Sequence, residues 1–211
     1  MSRRRGIPFV VAAPSGTGKT TVCRRLVAED DQLEFSVSHT TRPARNGETD
    51  GVDYYFVSRQ DFEALRAEGA FLESAEYNGN LYGTSWDTLR KLREHGHDVL
   101  LEIEVQGARQ VRAGEPDARF IFLLPPSMKE LEARLHGRGT DSAETVRKRL
   151  RWAEGVELPA IDLFDYAVTN DNLKTCIEDV RAILAGERAG ETGALRRRFD
   201  PSAARDRLVG S

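Results

Sequence analysis

The stretch VVAAPSGTGKTTV, Val10–Val22, constrains this chain more than any other. An apolar run stops at Pro14, small polar and glycine residues follow, and Lys19 stands beside Thr20 and Thr21. A loop without bulky side chains can bring its backbone N–H groups close to a neighbour, and the lysine at its end marks that neighbour as an anion. A strand read over Phe9–Ala13 leads into the loop, and a helix read over Lys19–Glu29, with Val22 and Leu26 on one face, leads out of it. This strand, bare loop and helix open a run of strands alternating with helices, which argues for an α/β fold with a parallel sheet covered on both faces.

The loop follows the phosphate-binding pattern G-x-x-x-x-G-K-[ST] as Ala13-Pro14-Ser15-Gly16-Thr17-Gly18-Lys19-Thr20, with alanine in place of the first glycine. Alanine serves there if the residue keeps a negative φ, because only a positive φ strongly demands glycine. In this geometry successive N–H groups point at phosphate oxygens and the helix N-terminus adds partial positive charge. Lys19 is then expected to bridge the outer phosphates and Thr20 to ligate Mg2+ through its hydroxyl.

Further strands are read at Asp98–Val105, Arg119–Leu124 and, more weakly, Tyr166–Asn170. Helical spacing of Leu173, Ile177, Val180 and Leu184 predicts a helix over 172–186, and Ser58-x-x-Asp61 and Ser127-x-x-Glu130 have the form of capping boxes. Residues 38–85 break the rhythm, with a short YYFV strand and a helix near 59–68, and read as an insertion. The charged stretch HGRGTDSAETVRKRLRW reads as a mobile flap, and the residues after Gly186 as a largely unordered tail. A net charge of -3 gives no global pull towards nucleic acid or an anionic membrane, so any phosphate site must be made locally. No apolar run approaches the roughly 20 residues that span a bilayer. Cys23 and Cys176 have no metal-ligand spacing and read as free buried thiols, which fit a reducing cytosol.

The segment SVSHTTRPARNGETDGVDYYFV adds an acceptor to the triphosphate loop. With APSGTGKT, FLESAEYNGNLYGTS, LEIEVQGA, FIFLLPPS, GRGTDS…RKRL and VTNDN, in this order over residues 7–186, the chain resembles guanylate kinase, which phosphorylates GMP with ATP. The resemblance implies a three-layer P-loop NTPase core with a parallel sheet (5–37, 86–125 and 155–190), a GMP-binding insertion (38–85), a lid (126–154) and a tail (191–211). It implies direct in-line transfer of the ATP γ-phosphoryl group to GMP in the cytoplasm, with Mg2+. The partners are ATP and GMP, without nucleic acid or membrane, and a homo-oligomer is left open.

By the same resemblance Arg42, Arg45, Tyr54 and Tyr82 grip the GMP phosphate, and Glu48 orients the arginines. Glu73 accepts from the guanine N1–H and N2 amino group, Ser38 and Thr84 donate to O6, and Glu104 faces the GMP side. The chemistry agrees, since a carboxylate is acceptor-only and suits guanine's donor pair. The ATP side comprises Ala13, Pro14, Ser15, Gly16, Thr17, Gly18, Lys19, Thr20 and Thr21, with Arg138, Asn170 and Asp171 near the adenine. Lys19, Arg42, Arg134, Arg138 and Arg149 form the catalytic set, and Glu102 holds Mg2+ through water. Glutamate stands at 104 where the family often has aspartate, and strand alternation puts Glu102 and Glu104 on one sheet face. Of two other readings, the first differs in kind and the second is closer. Guanylate-kinase-like binding modules lack a working nucleotide loop, which Gly18-Lys19-Thr20 opposes. A kinase for a ribose bisphosphate has no base to read, which Ser38, Glu73 and Thr84 oppose.

Overall fold

The structure, a computed structural model, describes residues 4–77, 79–137 and 142–209. In chain order the first half runs β1 (Pro8–Ala12), α1 (Lys19–Ala28), β2 (Leu33–Phe35), β3 (His39–Thr40), β4 (Tyr55–Phe56), α2 (Arg59–Ala67), β5 (Phe71–Tyr77), β6 (Asn80–Ser85) and α3 (Trp86–Glu94). The second half runs β7 (Asp98–Glu102), α4 (Val105–Gly114), β8 (Arg119–Leu124), α5 (Met128–Gly137), α6 (Ala143–Trp152), β9 (Tyr166–Thr169), α7 (Leu173–Ala189), α8 (Thr192–Arg198) and α9 (Pro201–Val209). A π turn (Ala153–Glu157) and a 3-10 turn (Leu158–Leu163) lie between α6 and β9. The chain divides into two compact units, one built from the chain up to Phe9 with Asp31–Ala118, the other from Val10–Asp30 with the chain from Arg119 onward.

In the first unit the strands run in the order β2-β7-β1, with Leu33–Phe35 parallel to Asp98–Leu100. Val99, Leu100 and Leu101 are all buried, the continuous apolar run of a strand covered on both faces. Asp98, fully buried at the start of β7, accepts from the Ile7 N–H at 2.7 Å and from Arg4 at 2.8 Å. Arg93 is buried against Glu115 at 2.7 Å and Asp117 at 3.1 Å and donates to the Gly6 carbonyl at 2.8 Å. A buried charge is tolerated only when paired and hydrogen-bonded in this way.

The same unit holds a second sheet in the order β4-β3-β6-β5. It extends the sequence reading, which gave this insertion one strand and one helix. β3 and β4 are two residues each, too short to show a periodicity, and β5 carries glutamates on an otherwise apolar start. α2 opens where expected: Ser58 accepts from the Asp61 N–H at 3.1 Å and donates to its carboxylate at 2.6 Å. Phe62 of α2 stacks on Phe71 of β5 at 4.5 Å. A Cβ at Gly83 of β6 would come within 3.0 Å of both rings, so glycine lets the aromatic pair lie on the sheet.

The second unit runs β1-β8-β9, with Ile121–Leu124 parallel to Tyr166–Thr169. α1 and α7 pack together, and Cys23 and Cys176 are free and buried, as the sequence led us to expect. Leu131, Leu135, Val146 and Ala153 form a small separate core for α5 and α6. Ser127 caps α5, accepting from the Glu130 N–H at 3.1 Å.

Two expectations are corrected. The strand read to Val105 ends at Glu102, and Glu104 is the N-cap of α4, its carbonyl accepting from the Ala108 N–H at 2.9 Å. Glu102 and Glu104 therefore do not alternate along one strand. The tail is folded through α8 and α9. Phe199, Ala204 and Leu208 are buried, and the Phe199 carbonyl accepts from the Ala167 N–H of β9 at 2.8 Å. Arg196 and Arg198, both exposed, pair with Asp165 at 3.5 Å and Asp179 at 2.5 Å.

Candidate active site

The phosphate loop lies in the second unit. Positive φ falls on Gly16 (99°) and Gly18 (96°), the left-handed conformation that a side chain resists. A Cβ at Gly16 would stand 2.9 Å from Leu135, and one at Gly18 2.7 Å from the Asn170 amide nitrogen, so both glycines also answer to close packing. Ala13 is buried at the end of the apolar run. The Thr17 N–H donates to the Pro14 carbonyl at 3.1 Å, and Gly18 is the N-cap of α1, which begins at Lys19 and carries Thr20 and Thr21 exposed in its first turn. The helix N-terminus behind a bare loop has the layout of an anion site.

Two side chains hold this loop from outside it, and a third braces one of them. Asn170, buried after β9, donates from Nδ2 to the Thr17 carbonyl at 2.7 Å. The Asn170 carbonyl accepts from Arg134 Nη1 at 3.0 Å, while Arg134 Nε reaches Glu130 at 3.0 Å. Arg149 Nη1 donates to the Ser15 hydroxyl at 3.1 Å. Asn170, placed near the adenine by the sequence reading, thus spends its amide on loop shape, and Asp171 is exposed beside it. Arg138 lies outside the described residues.

The residues expected to hold the acceptor fall in the first unit. Glu73 of β5 and Thr84 of β6 are cross-strand partners, just after a register shift between Phe71 and Glu73. Glu73 is only 4% exposed. Its Oε1 accepts both the Thr84 N–H at 3.0 Å and the Thr84 hydroxyl at 2.7 Å. The Ser38 hydroxyl stands 3.4 Å from that of Thr84. A buried carboxylate and two hydroxyls thus meet in one place, a donor and acceptor set able to read the edge of a polar ring.

Arg42 and Glu48 form a two-armed pair, Nη1 and Nη2 each 2.9 Å from a Glu48 oxygen. The Arg45 N–H also donates to Glu48 at 2.7 Å. The Arg42 guanidinium lies 5.4 Å from the Tyr54 ring centre and 5.8 Å from that of Phe56, and Tyr54 and Tyr82 meet edge-on at 6.0 Å. Hydrogen bonding to Glu48 strengthens the hold of Arg42 on its proton, with Tyr82 adding to the effect. The Arg42 guanidinium in turn holds the Glu48 carboxyl below its ordinary value. Arg45 is exposed. Aromatic walls and a carboxylate fix one guanidinium in a plane suited to a phosphate.

Sequence reasoning missed three supports: Thr40, which accepts from the Arg42 N–H at 3.2 Å, Phe56 beneath Arg42, and the Asn170 clamp on Thr17. Phe56 stands in YYFV, Asn170 in VTNDN and Thr40 in SVSHTTRP, but none of these motifs shows the contact each makes. Glu102 closes β7 and Glu104 caps α4, both half-buried.

Comparison with known proteins agrees with this layout. The family model described as guanylate kinase matches residues 5–187. A guanylate kinase of Thermus thermophilus is 50% identical, covering 99% of this chain and 96% of its own length. That of Syntrophotalea carbinolica is 49% identical, covering 88% of each chain. The crystal structure of guanylate kinase from Anaplasma phagocytophilum matches with a TM-score of 0.70 at 32% identity, over 91% of this chain and 89% of that one. A phosphate loop, a buried carboxylate beside a hydroxyl pair and a planar arginine, borne on a sequence that matches these relatives over most of its length, assign the chain to the guanylate kinase family.

Proposed function

We propose that this chain transfers the γ-phosphoryl group of ATP to a phosphate oxygen of GMP, giving ADP and GDP. The observation that carries the acceptor's identity is Glu73, buried and fixed by two donations from Thr84. Its carboxylate suits guanine N1–H and the N2 amino group, while Ser38 and Thr84 offer hydroxyls to O6. Adenine presents an acceptor at N1, and a site built on hydrogen bonds rejects such a mismatch by about 10⁴-fold.

Arg42, oriented by Glu48, and Arg45, with the hydroxyls of Tyr54 and Tyr82, take the GMP phosphate. The loop from Ala13 to Thr21 takes the phosphates of ATP, with Lys19 on the outer ones. The acceptor oxygen attacks Pγ in line, the bond from Pγ to the bridging oxygen of ADP breaks, and charge moves onto that oxygen. Little covalent work falls to the protein in such a transfer, so alignment and fixed positive charge supply the catalysis. Arg149 bonds to Ser15 of the loop, Arg134 braces Asn170 beside it, and both add charge near the triphosphate.

The residues fit Mg2+. Among the described residues no three His, Cys, Asp or Glu side chains gather as an all-protein cage. Mg2+ keeps several waters and uses one or two protein oxygens beside substrate phosphates. Thr20 would hold it through the hydroxyl, and the bound ion would neutralise phosphate charge. We assign the reaction to the cytoplasm, in keeping with two free thiols. The test is ADP release with ATP and, in turn, GMP, AMP, CMP and UMP. Release that depends on GMP supports the assignment; turnover of AMP or UMP with none of GMP overturns it.

A further inference from the structure

Gly107 stands inside α4, at a position where nothing in the backbone asks for glycine: it is absent from the residues of positive φ. Glycine is a poorer helix former than alanine. Its surroundings supply a reason for its presence. A Cβ built on Gly107 would lie 2.3 Å from Glu73 Oε2, 3.0 Å from Cδ and 3.4 Å from Cγ. α4 packs on β5, and the carboxylate of Glu73 rests in the space that the missing side chain leaves on the helix. The atom that would give way is the end of a flexible side chain, so the damage falls on the carboxylate's position rather than on the fold.

We propose that Gly107 is a positioning residue for base specificity: its bare surface lets the Glu73 carboxylate sit where Thr84 fixes it and where it meets the guanine donors. The inference rests on the reading of Glu73 as the guanine-facing group. A methyl group at 107 pushes Oε2 off the helix and breaks the register with the Thr84 N–H and hydroxyl, now at 3.0 and 2.7 Å from Oε1. The donor side is untouched, so the change shows in KM for GMP and not in KM for ATP. A misplacement of this size costs about 10²-fold at the affected step.

The test compares GMP with inosine monophosphate, which lacks the N2 amino group, by equilibrium binding and by kcat/KM. The proteins are wild type, Gly107→Ala, Glu73→Asp and the double variant. Wild type is expected to prefer GMP. Gly107→Ala is expected to fold, to keep its KM for ATP and to lose the preference, with KM for GMP raised about 10- to 100-fold. Glu73→Asp alone weakens GMP binding by drawing the carboxylate back. In the Gly107→Ala background the same change restores much of the preference, because the shorter side chain clears the methyl group. A Gly107→Ala protein that retains the wild-type preference overturns the inference and leaves the reading of Glu73 standing. A wild type that binds the two nucleotides alike overturns the reading and the inference with it. If Gly107→Ala fails to fold while the double variant folds, the clash with Glu73 is upheld; if neither folds, the helix itself requires glycine and the inference is overturned.

Discussion

His39 shows how a single side chain in the acceptor unit answers to burial rather than to chemistry. Its ring meets Tyr55 at 4.8 Å and Phe71 edge-on at 5.4 Å, and its Nδ1 is buried without a hydrogen-bond partner. Burial pushes its pKa below the ordinary 6.5, with Asp50 opposing weakly. The unfolded chain therefore takes up this proton first as pH falls, so the native state loses stability below about pH 6.5 and is indifferent to His39 above it. The Glu48 carboxyl, held low by Arg42, acts in a lower window: its contribution is present above about 4.5 and lost as pH falls through its native value. Urea midpoints between about pH 7.5 and 5.5 are expected to fall with pH in wild type and to flatten in His39→Phe. Parallel slopes in the two proteins would contradict this assignment.

At the level of elements, the phosphate loop was legible because its requirements are local. Gly16 and Gly18 need their φ of 99° and 96° within three consecutive residues, and Lys19 opens the helix next to them. The acceptor sheet was not legible. β3 and β4 have two residues each, and Thr84 meets Glu73 only through pairing across the hairpin of β5 and β6. The start of α4 was missed because its N-cap is Glu104, whose side chain makes no cap hydrogen bond, in place of the Ser, Thr, Asp or Asn that announces a helix. Alternation in LEIEV then carried the strand reading past Glu102. The tail misled by its charge. Its order rests on a few apolar groups: Phe199, Ala204, Leu208, and Leu195, whose Cδ1 occupies the space 2.1 Å from a Cβ position on Gly186. Phe199, 5% exposed with the Arg198 guanidinium 4.7 Å from its ring centre, is the largest of these. Phe199→Ala is expected to cost about 3 kcal/mol in a guanidinium titration. An unchanged midpoint would mean that α8 and α9 contribute nothing to the folded unit.

Across the whole molecule the two compact units divide the chemistry. The second carries the phosphate loop with Arg134, Arg149 and Asn170 around it, and the first carries every described residue assigned to GMP. Membership of the guanylate kinase family fixes the class of reaction, and our proposal rests the choice of acceptor on the buried Glu73–Thr84 pair. A conservative change at Glu73 therefore reaches the centre of the account. The measurement is the ratio of kcat/KM for GMP to that for AMP in wild type and in Glu73→Gln, with KM for ATP followed alongside. The expected result is a strong GMP preference in wild type that falls by about 10²-fold or more in the variant, at unchanged KM for ATP. A Glu73→Gln enzyme that discriminates as well as wild type would contradict it.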